Sequence, residues 1–282
     1  MLLADFIRKS ISRLEALYPS PEARGLVLFL CEERLGVKNY THIIEPEFEI
    51  PTSGLEVLER DMDRLCDAEP IQYVLGYTEF CGRRFNVGPG VLIPRPETEL
   101  LVAEAIKEID IRETPCRVLD LCTGSGCIAW SVALERPQCE VMAVDISDAA
   151  LDIARAQYES LNPGFIKADV LHDAESFNHG SFDLLLSNPP YVMDKERQLM
   201  RPNVLRYEPE IALFVEDEDP LVFYVALARW AGLHLKPSGV GIVEINETLG
   251  EETADVFRQA GFGDVRIIDD FFGKSRFVKF SH

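Results

Sequence analysis

The sequence predicts an α/β protein: a doubly wound, mostly parallel seven-stranded sheet preceded by a small helical bundle, with a β-hairpin joining the two. Three observations predict it. From Arg95 onward, apolar strand-like runs alternate with helix-length segments, the pattern of a parallel sheet covered on both faces. Over residues 1–76 the apolar side chains recur at helical spacing. Between these regions residues 77–94, YTEFCGRRFNVGPGVLIP, are aromatic and β-branched and are punctuated by Gly82, Gly88, Pro89 and Gly90, the composition of a hairpin.

In the first region Leu3, Phe6, Ile7, Ile11, Leu14 and Leu17 form one apolar stripe at three- and four-residue steps. Ser20-Pro21-Glu22 reads as the next helix start, with Ser20 as N-cap, proline at the first helical position and an acid in the positive first turn. Leu26, Val27, Leu30 and Leu35 continue that helix, and Gly36 stands where a left-handed C-terminal residue is needed. A third amphipathic segment covers residues 55–65, after Ser53-Gly54. Beyond the hairpin, strands are predicted at residues 117–121, 140–145, 164–168, 182–187 and 239–245, with helices between them. Residues 263–268 and 275–280, separated by Gly273, are read as an antiparallel edge pair. The domains expected are thus a helical domain at 1–76, a hairpin linker at 77–94 and a sheet domain at 95–282.

Charge narrows the function classes. Lys and Arg number 28 against 48 Asp and Glu, a formal net charge of −20, so the chain begins with its field set against a polyanion and direct nucleic-acid binding is not expected. With 47% hydrophobic residues and no apolar run of membrane-spanning length, the composition is that of a soluble globular protein with no membrane contact. The start, MLLADFIRKS, lacks the cationic lead and long apolar core of a secretory signal. Seven cysteines without paired CxxC spacing are read as reduced thiols in a cytoplasmic protein, and no metal site is expected.

RVLDLCTGSGCIA, residues 117–129, runs from a strand through a glycine-bearing turn into a helix. Gly124 and Gly126 let a ligand approach the backbone, and the stretch satisfies the relaxed dinucleotide pattern GxGxxG/A. Two carboxylates separate the ligands that could sit there. Asp145, at the end of the next strand, can accept from two ribose hydroxyls. Asp120 lies four residues before the first glycine, where it would repel a pyrophosphate but suits the ammonium and sulfonium charges of S-adenosylmethionine. The preference therefore moves from NAD to S-adenosylmethionine, with a loop-capping carboxylate as the other reading of Asp120. Asp169, after the third strand, is placed to face an adenine amino group or to close a surface turn.

SNPPYV, residues 187–192, ends the fourth strand abruptly, because proline lacks a ladder donor and fixes φ. All these motifs share the carboxyl edge of the sheet, where open α/β sheets bind ligands. An amide or aromatic amine is a poor nucleophile, its nitrogen lone pair being delocalised into a π system. Two acceptors out of the amide plane, Asn188 Oδ1 and the Pro189 carbonyl, can hold such an NH2 group with its lone pair toward a transferable methyl. Pro190 stiffens the second acceptor, and Tyr191 offers a ring to a planar substrate. The plainer alternative is a stiff turn with a solvent-facing aromatic.

Taken in succession, PIQYVLG (70–76), LIPRPETE (92–99), DLCTGSG (120–126), NPPY (188–191) and YEPEIAL (207–213) resemble the peptide chain release factor (glutamine-N5) methyltransferase family over nearly the whole chain. The resemblance implies a Rossmann-like methyltransferase sheet and an N-terminal domain that recognises the substrate. It implies transfer of a methyl group from S-adenosylmethionine to the glutamine of the Gly-Gly-Gln loop of release factors, with S-adenosylhomocysteine as product. It assigns Asp120, Leu121, Cys122, Thr123, Gly124, Gly126, Asp145, Ile146, Asp169, Val170 and Asn188 to the cofactor. Asn188, Pro189, Pro190 and Tyr191 would clasp the glutamine, with Asn188, Pro189 and Tyr191 catalytic. Arg95 and Glu97 are substrate-contact candidates, although a well-capped helix start tied to a neighbouring loop explains them equally. Release factors are the partners expected, and the enzyme is expected to be a cytoplasmic monomer.

Three departures from the family pattern stand out. Cys122 and Asn246 replace glycines of DLGTGSG and EIG; Cys122 is small enough to leave the turn intact, and Asn246 bears on local backbone geometry only. At Glu218-Asp219-Pro220 the family tends to glycine-leucine, so the loop VEDEDP, residues 215–220, is unusually acidic here, and it is read as solvated in preference to partner-facing. Rival readings are a glutamine methyltransferase of a ribosomal protein, an adenine amino methyltransferase of nucleic acid, an NAD-dependent oxidoreductase and a non-catalytic binding module.

Overall fold

The computed structural model describes residues 1–112, 114–159 and 163–282. Five helices come first: α1 (Leu3–Leu14), α2 (Ser20–Leu35), α3 (Thr41–Ile44), α4 (Thr52–Cys66) and α5 (Ile71–Leu75). The hairpin strands β1 (Tyr77–Phe80) and β2 (Arg83–Asn86) follow, then α6 (Thr98–Asp110), β3 (Arg117–Leu121), α7 (Cys127–Glu135), β4 (Glu140–Asp145), α8 (Asp148–Arg155), β5 (Gly164–Lys167) and β6 (Phe182–Ser187). After these come β7 (Val192–Met193), α9 (Pro202–Tyr207), β8 (Phe214–Val215), α10 (Val222–His234), β9 (Leu235–Glu244), α11 (Gly250–Gln259), β10 (Asp264–Asp269) and β11 (Ser275–Ser281).

The described residues form two compact units: Met1–Tyr77 with Arg201–Tyr207, and Thr78–Met200 with Glu208–His282. In the first, the α1 stripe buries Leu3, Phe6, Ile7 and Leu14 against Val27, Leu30, Leu58, Met62 and Leu65. Gly36 ends α2 at φ 67°, its N–H reaching Glu32 O, as the sequence predicts. Ser20 is not the N-cap: the Ala23 N–H bonds Pro19 O, so Pro19 holds the capping position and Ser20 is already helical. Helices α3 and α5 are too short for a periodicity to announce them. The α5 carbonyls are closed by guanidinium groups, Arg64 on Tyr73 O and Val74 O and Arg34 on Val74 O, as favoured at a negative helix end. The chain returns to this unit at α9, where Arg206 and Tyr207 bond the Asp67 carboxylate.

In the second unit the hairpin is shorter than residues 77–94. Cys81 and Gly82 at its turn both take positive φ (49° and 68°), as a two-residue primed turn requires. Residues 87–94 leave the pairing. The seven-stranded sheet has the order β10-β11-β9-β6-β3-β4-β5, parallel throughout except where β11 pairs antiparallel with β9 and β10. Only β10 of the final pair is therefore an edge; β11 is interior. Strand β9 begins at Leu235, earlier than 239, because Pro237, Ser238 and Gly239 lie at an irregularity in its pairing with β6.

Side chains alternate across this sheet and fill two cores. Leu119, Leu121, Leu185 and Val243 face α10 and α11, whereas Val118, Leu184, Leu186 and Ile242 face α6 and α7. After β3 the chain winds outward through β4 and β5, then crosses back to β6 and β9. The β3/β6 boundary is thus the topological switch point, where an α/β sheet opens a crevice at its carboxyl edge.

Candidate active site

A cleft lies at that edge, enclosing about 1010 Å³ with its mouth included. The ends of β3, β4 and β6 supply its floor through Thr123, Gly124, Asp145 and Asn188, and Gly90, Val91 and Leu92 close one side. Among the described residues, its lining carries the carboxylates Asp145 and Asp169 and no Lys or Arg.

Strand alternation turns Asp120 out of the cleft and under the following loop, where it is 0% exposed. Its Oδ2 accepts from Thr123 Oγ1 at 2.5 Å, while Oδ1 has no hydrogen-bond partner among the described residues. Burial pushes this carboxyl up to about 7 against the opposing pull of the Thr123 hydroxyl. Leu121 is a core residue whose carbonyl accepts from Ser187 Oγ at 2.7 Å, tying the ends of β3 and β6 together. Cys122 lines the cleft at φ 59°, a left-handed conformation in which a side chain costs energy that glycine avoids. Burial raises its thiol well above the ordinary range.

The two glycines do different work. Gly124 lies at φ 54° with nothing within 4 Å of where a Cβ would stand, so its bare face opens on the cleft. Gly126 does not line it: a Cβ there would meet Ala154 Cβ at 3.0 Å, Trp130 at 3.1 Å and Phe165 at 3.3 Å. Its role is close packing of α7 against α8, where Trp130 Nε1 also donates to Ala154 O at 2.7 Å.

Asp145 is held by backbone donors, Oδ2 by Gly124 N at 2.8 Å and Oδ1 by Ser147 N at 2.9 Å. Each oxygen keeps a lone pair for a ligand in the cleft. Burial raises its pKa, and the Ser147 and Gly124 N–H groups oppose the rise. Ile146 beside it is exposed and lines the cleft. Asp169 also lines it but closes its own turn, Oδ1 accepting from Leu171 N at 2.8 Å and Oδ2 lying 2.8 Å from His172 Nδ1. Val170 lines the wall, its carbonyl fixed by Trp230 Nε1 at 2.8 Å.

Asn188 follows directly on β6 and lines the cleft with Pro190, whereas Pro189 is buried and Tyr191 stands behind them. Asn188 Nδ2 donates to Thr98 Oγ1 at 3.2 Å, Thr98 Oγ1 donates to Glu244 Oε2 at 2.7 Å, and Tyr191 Oη donates to Glu244 Oε1 at 3.1 Å. One buried carboxylate thus joins the first and last residues of the tetrad. Neither Thr98 nor Glu244 was singled out by sequence, although LIPRPETE contains the former and EIN the latter.

Arg95 and Glu97 lie outside the cleft lining. Arg95 Nη2 donates to Glu208 Oε1 at 2.8 Å, and Glu208 Oε2 accepts from Ile93 N at 3.0 Å, so LIPRPETE and YEPEIAL clasp each other. Asn246 does more than shape backbone: its Nδ2 donates to Tyr191 O at 3.2 Å and Glu196 Oε2 at 2.9 Å, contacts a glycine could not make. Glu216 to Asp219 of the acidic loop are exposed.

Residues 97–205 match the family model of the methyltransferase small domain, and residues 5–76 that of the PrmC N-terminal domain. The chain is 43% identical to the release factor glutamine methyltransferase of Bacteroides thetaiotaomicron over 98% of both chains. To that of Flavobacterium psychrophilum it is 36% identical over 99% of both. The 16S rRNA N2 G1207 methyltransferase of T. thermophilus, 18% identical, shares the fold at a TM-score of 0.53 over 73% of this chain and 49% of that one. Identity of this degree along the full length of both relatives, with the helical and sheet regions each matched, means that the chain belongs to the release factor glutamine methyltransferase family.

Proposed function

We propose that this protein methylates the side-chain nitrogen of the glutamine in the Gly-Gly-Gln loop of peptide chain release factors, with S-adenosylmethionine as donor. The carrying observation is the tethered Asn188 amide: with its NH2 end committed to Thr98, Oδ1 is left as an acceptor beside the cleft. The same residues suit the donor. Asp145 and Asp169 give the cleft lining negative character, the lining lacks cations among the described residues, and Gly124 leaves room over the backbone. A pyrophosphate would find no positive partner there, whereas a sulfonium and an ammonium would be favoured. Cys122 to Gly124, Asp145, Ile146, Asp169 and Val170 line the cleft and are the residues assigned to the donor, which when bound supplies an electrophilic methyl group, while the buried Asp120 and Leu121 support the turn that carries them.

The chain's own contribution is positioning. Asn188 Oδ1 and the Pro189 carbonyl accept from the substrate NH2 and orient its lone pair, Pro190 fixes the second acceptor, and Tyr191, behind the lining and bonded to Glu244, supports the tetrad from its last position. The N-terminal helical unit is assigned to recognition of the release factor. A cytoplasmic monomer without nucleic-acid or membrane contact completes the reading; among the described residues no helix is long and apolar enough to cross a membrane. Separate calorimetric titrations with S-adenosylmethionine and NAD test the cofactor assignment: heat is expected with the first alone, and binding of NAD in its place contradicts it.

A further inference from the structure

Glu244 ends β9 with its side chain on the α6 face, 1% exposed, and both carboxylate oxygens accept from hydroxyls, those of Thr98 and Tyr191. Thr98 opens α6, and its Oγ1 also accepts from Asn188 Nδ2. A hydroxyl has one proton. Donated to an ionised carboxylate, which can only accept, that proton leaves Thr98 with lone pairs alone to show Asn188. Asn188 must answer with its NH2, and Oδ1 is turned to the opposite side. The second hydroxyl bond fixes where the Tyr191 ring stands.

We infer that Glu244 is a positioning residue that, through Thr98 and Tyr191, sets which end of the Asn188 amide faces the substrate nitrogen. The inference rests on the acceptor role proposed for Asn188. Burying a carboxylate without a bonded cation is costly, and a core position of this kind would be more stable apolar or neutral. A buried carboxylate placed where it joins Asn188, through Thr98, to Tyr191 breaks the rule for core positions, and such departures mark function.

The groups facing Glu244 decide its charge. Arg276 on β11, itself paired with Asp270 at 3.0 Å, favours the ionised form; Glu97 before α6 opposes it; Tyr224 on α10 bonds the Glu244 main-chain carbonyl at 3.3 Å. Burial outweighs the rest and pushes the carboxyl up to about 7. Once protonated, Glu244 can donate to Thr98, whose own proton is then free to point at Asn188, and the amide is invited to reverse.

The test uses the full chain with S-adenosylmethionine and a purified release factor. It compares kcat against pH, donor affinity by calorimetry and Tm for wild type, Glu244→Gln, Thr98→Val and Thr98→Ser. Wild-type kcat should fall as pH drops through about 7. Glu244→Gln should lower kcat about 10- to 100-fold at pH 8 and lose that acid limb, with donor affinity within about threefold and Tm at pH 8 no lower than wild type. Thr98→Val should lose a similar factor, and Thr98→Ser, which keeps the hydroxyl, should recover most of it. Wild-type kcat and an unchanged acid limb in Glu244→Gln overturn the inference, as does a loss of kcat matched by equal losses of Tm and donor affinity. Failure of the wild type to methylate the release factor overturns the underlying reading, and the inference with it.

Discussion

Asn188 and Asp145 stand on the same sheet edge, yet their surroundings give them separable tasks. Asn188 is tethered through its NH2 group and presents an acceptor, so Asn188→Ala should lower turnover by on the order of 10² to 10⁴ while donor affinity stays within about tenfold. Unchanged turnover in steady-state assays would remove its role. Asp145 orders the Gly124 and Ser147 amides and faces the cleft, so Asp145→Ala should weaken donor binding by roughly 1 to 3 kcal/mol in calorimetry. Undiminished affinity would show that the ribose is held elsewhere. Asn246 illustrates how a residue that interrupts a family pattern acquires contacts of its own, since its amide grips the carbonyl of Tyr191.

At the scale of elements, the β3–α7 turn combines a ligand-facing glycine with a packing glycine. Gly126→Ala adds a Cβ 3.0 Å from Ala154 at φ 78°, and should destabilise the fold by about 1 to 3 kcal/mol in urea denaturation. Gly124→Ala meets nothing within 4 Å, so its larger effect should be on donor affinity, with a stability cost of about 1 kcal/mol from the left-handed backbone. The reverse pattern would contradict the division of labour between them. Strand alternation is the second device of this scale. It turns Asp120, Glu244 and Asn188 toward the α6 and α7 side, which is why Thr98, the first residue of α6, meets two of them.

For the whole molecule, Asp120 and Glu244, each at most 1% exposed and bonded to no cation among the described residues, shape stability against pH. Asp120 and Glu244 are both raised to about 7, above their values of 3.8 and 4.5, so protonation favours the folded state. Their contribution is complete below the unfolded values and is lost as pH rises through about 7, at a cost of a few kcal/mol together with the growing self-repulsion of a chain of net charge −20. Tm should therefore fall between about pH 6 and pH 8, and Glu244→Gln should flatten that slope; a Tm rising over this interval would contradict the assignment. Much of this architecture was legible, because β3, β4 and β6 are contiguous apolar runs whose ends carry their chemistry locally, as in Leu121 to Gly124 or Ser187 to Tyr191. What was hidden is non-local. Thr98 and Glu244 lie 146 residues apart, and no periodicity or motif shows that they share a proton. Likewise the sequence leaves Arg95 open between a substrate contact and a tie to a neighbouring loop, and nothing local to it shows that it bonds Glu208, 113 residues on. The function itself is tested most directly by incubating the protein with labelled S-adenosylmethionine and, in parallel, a purified release factor, a ribosomal protein preparation and DNA. Label confined to the glutamine of the Gly-Gly-Gln peptide is the expected result; label in ribosomal protein or DNA with none in the release factor would contradict it.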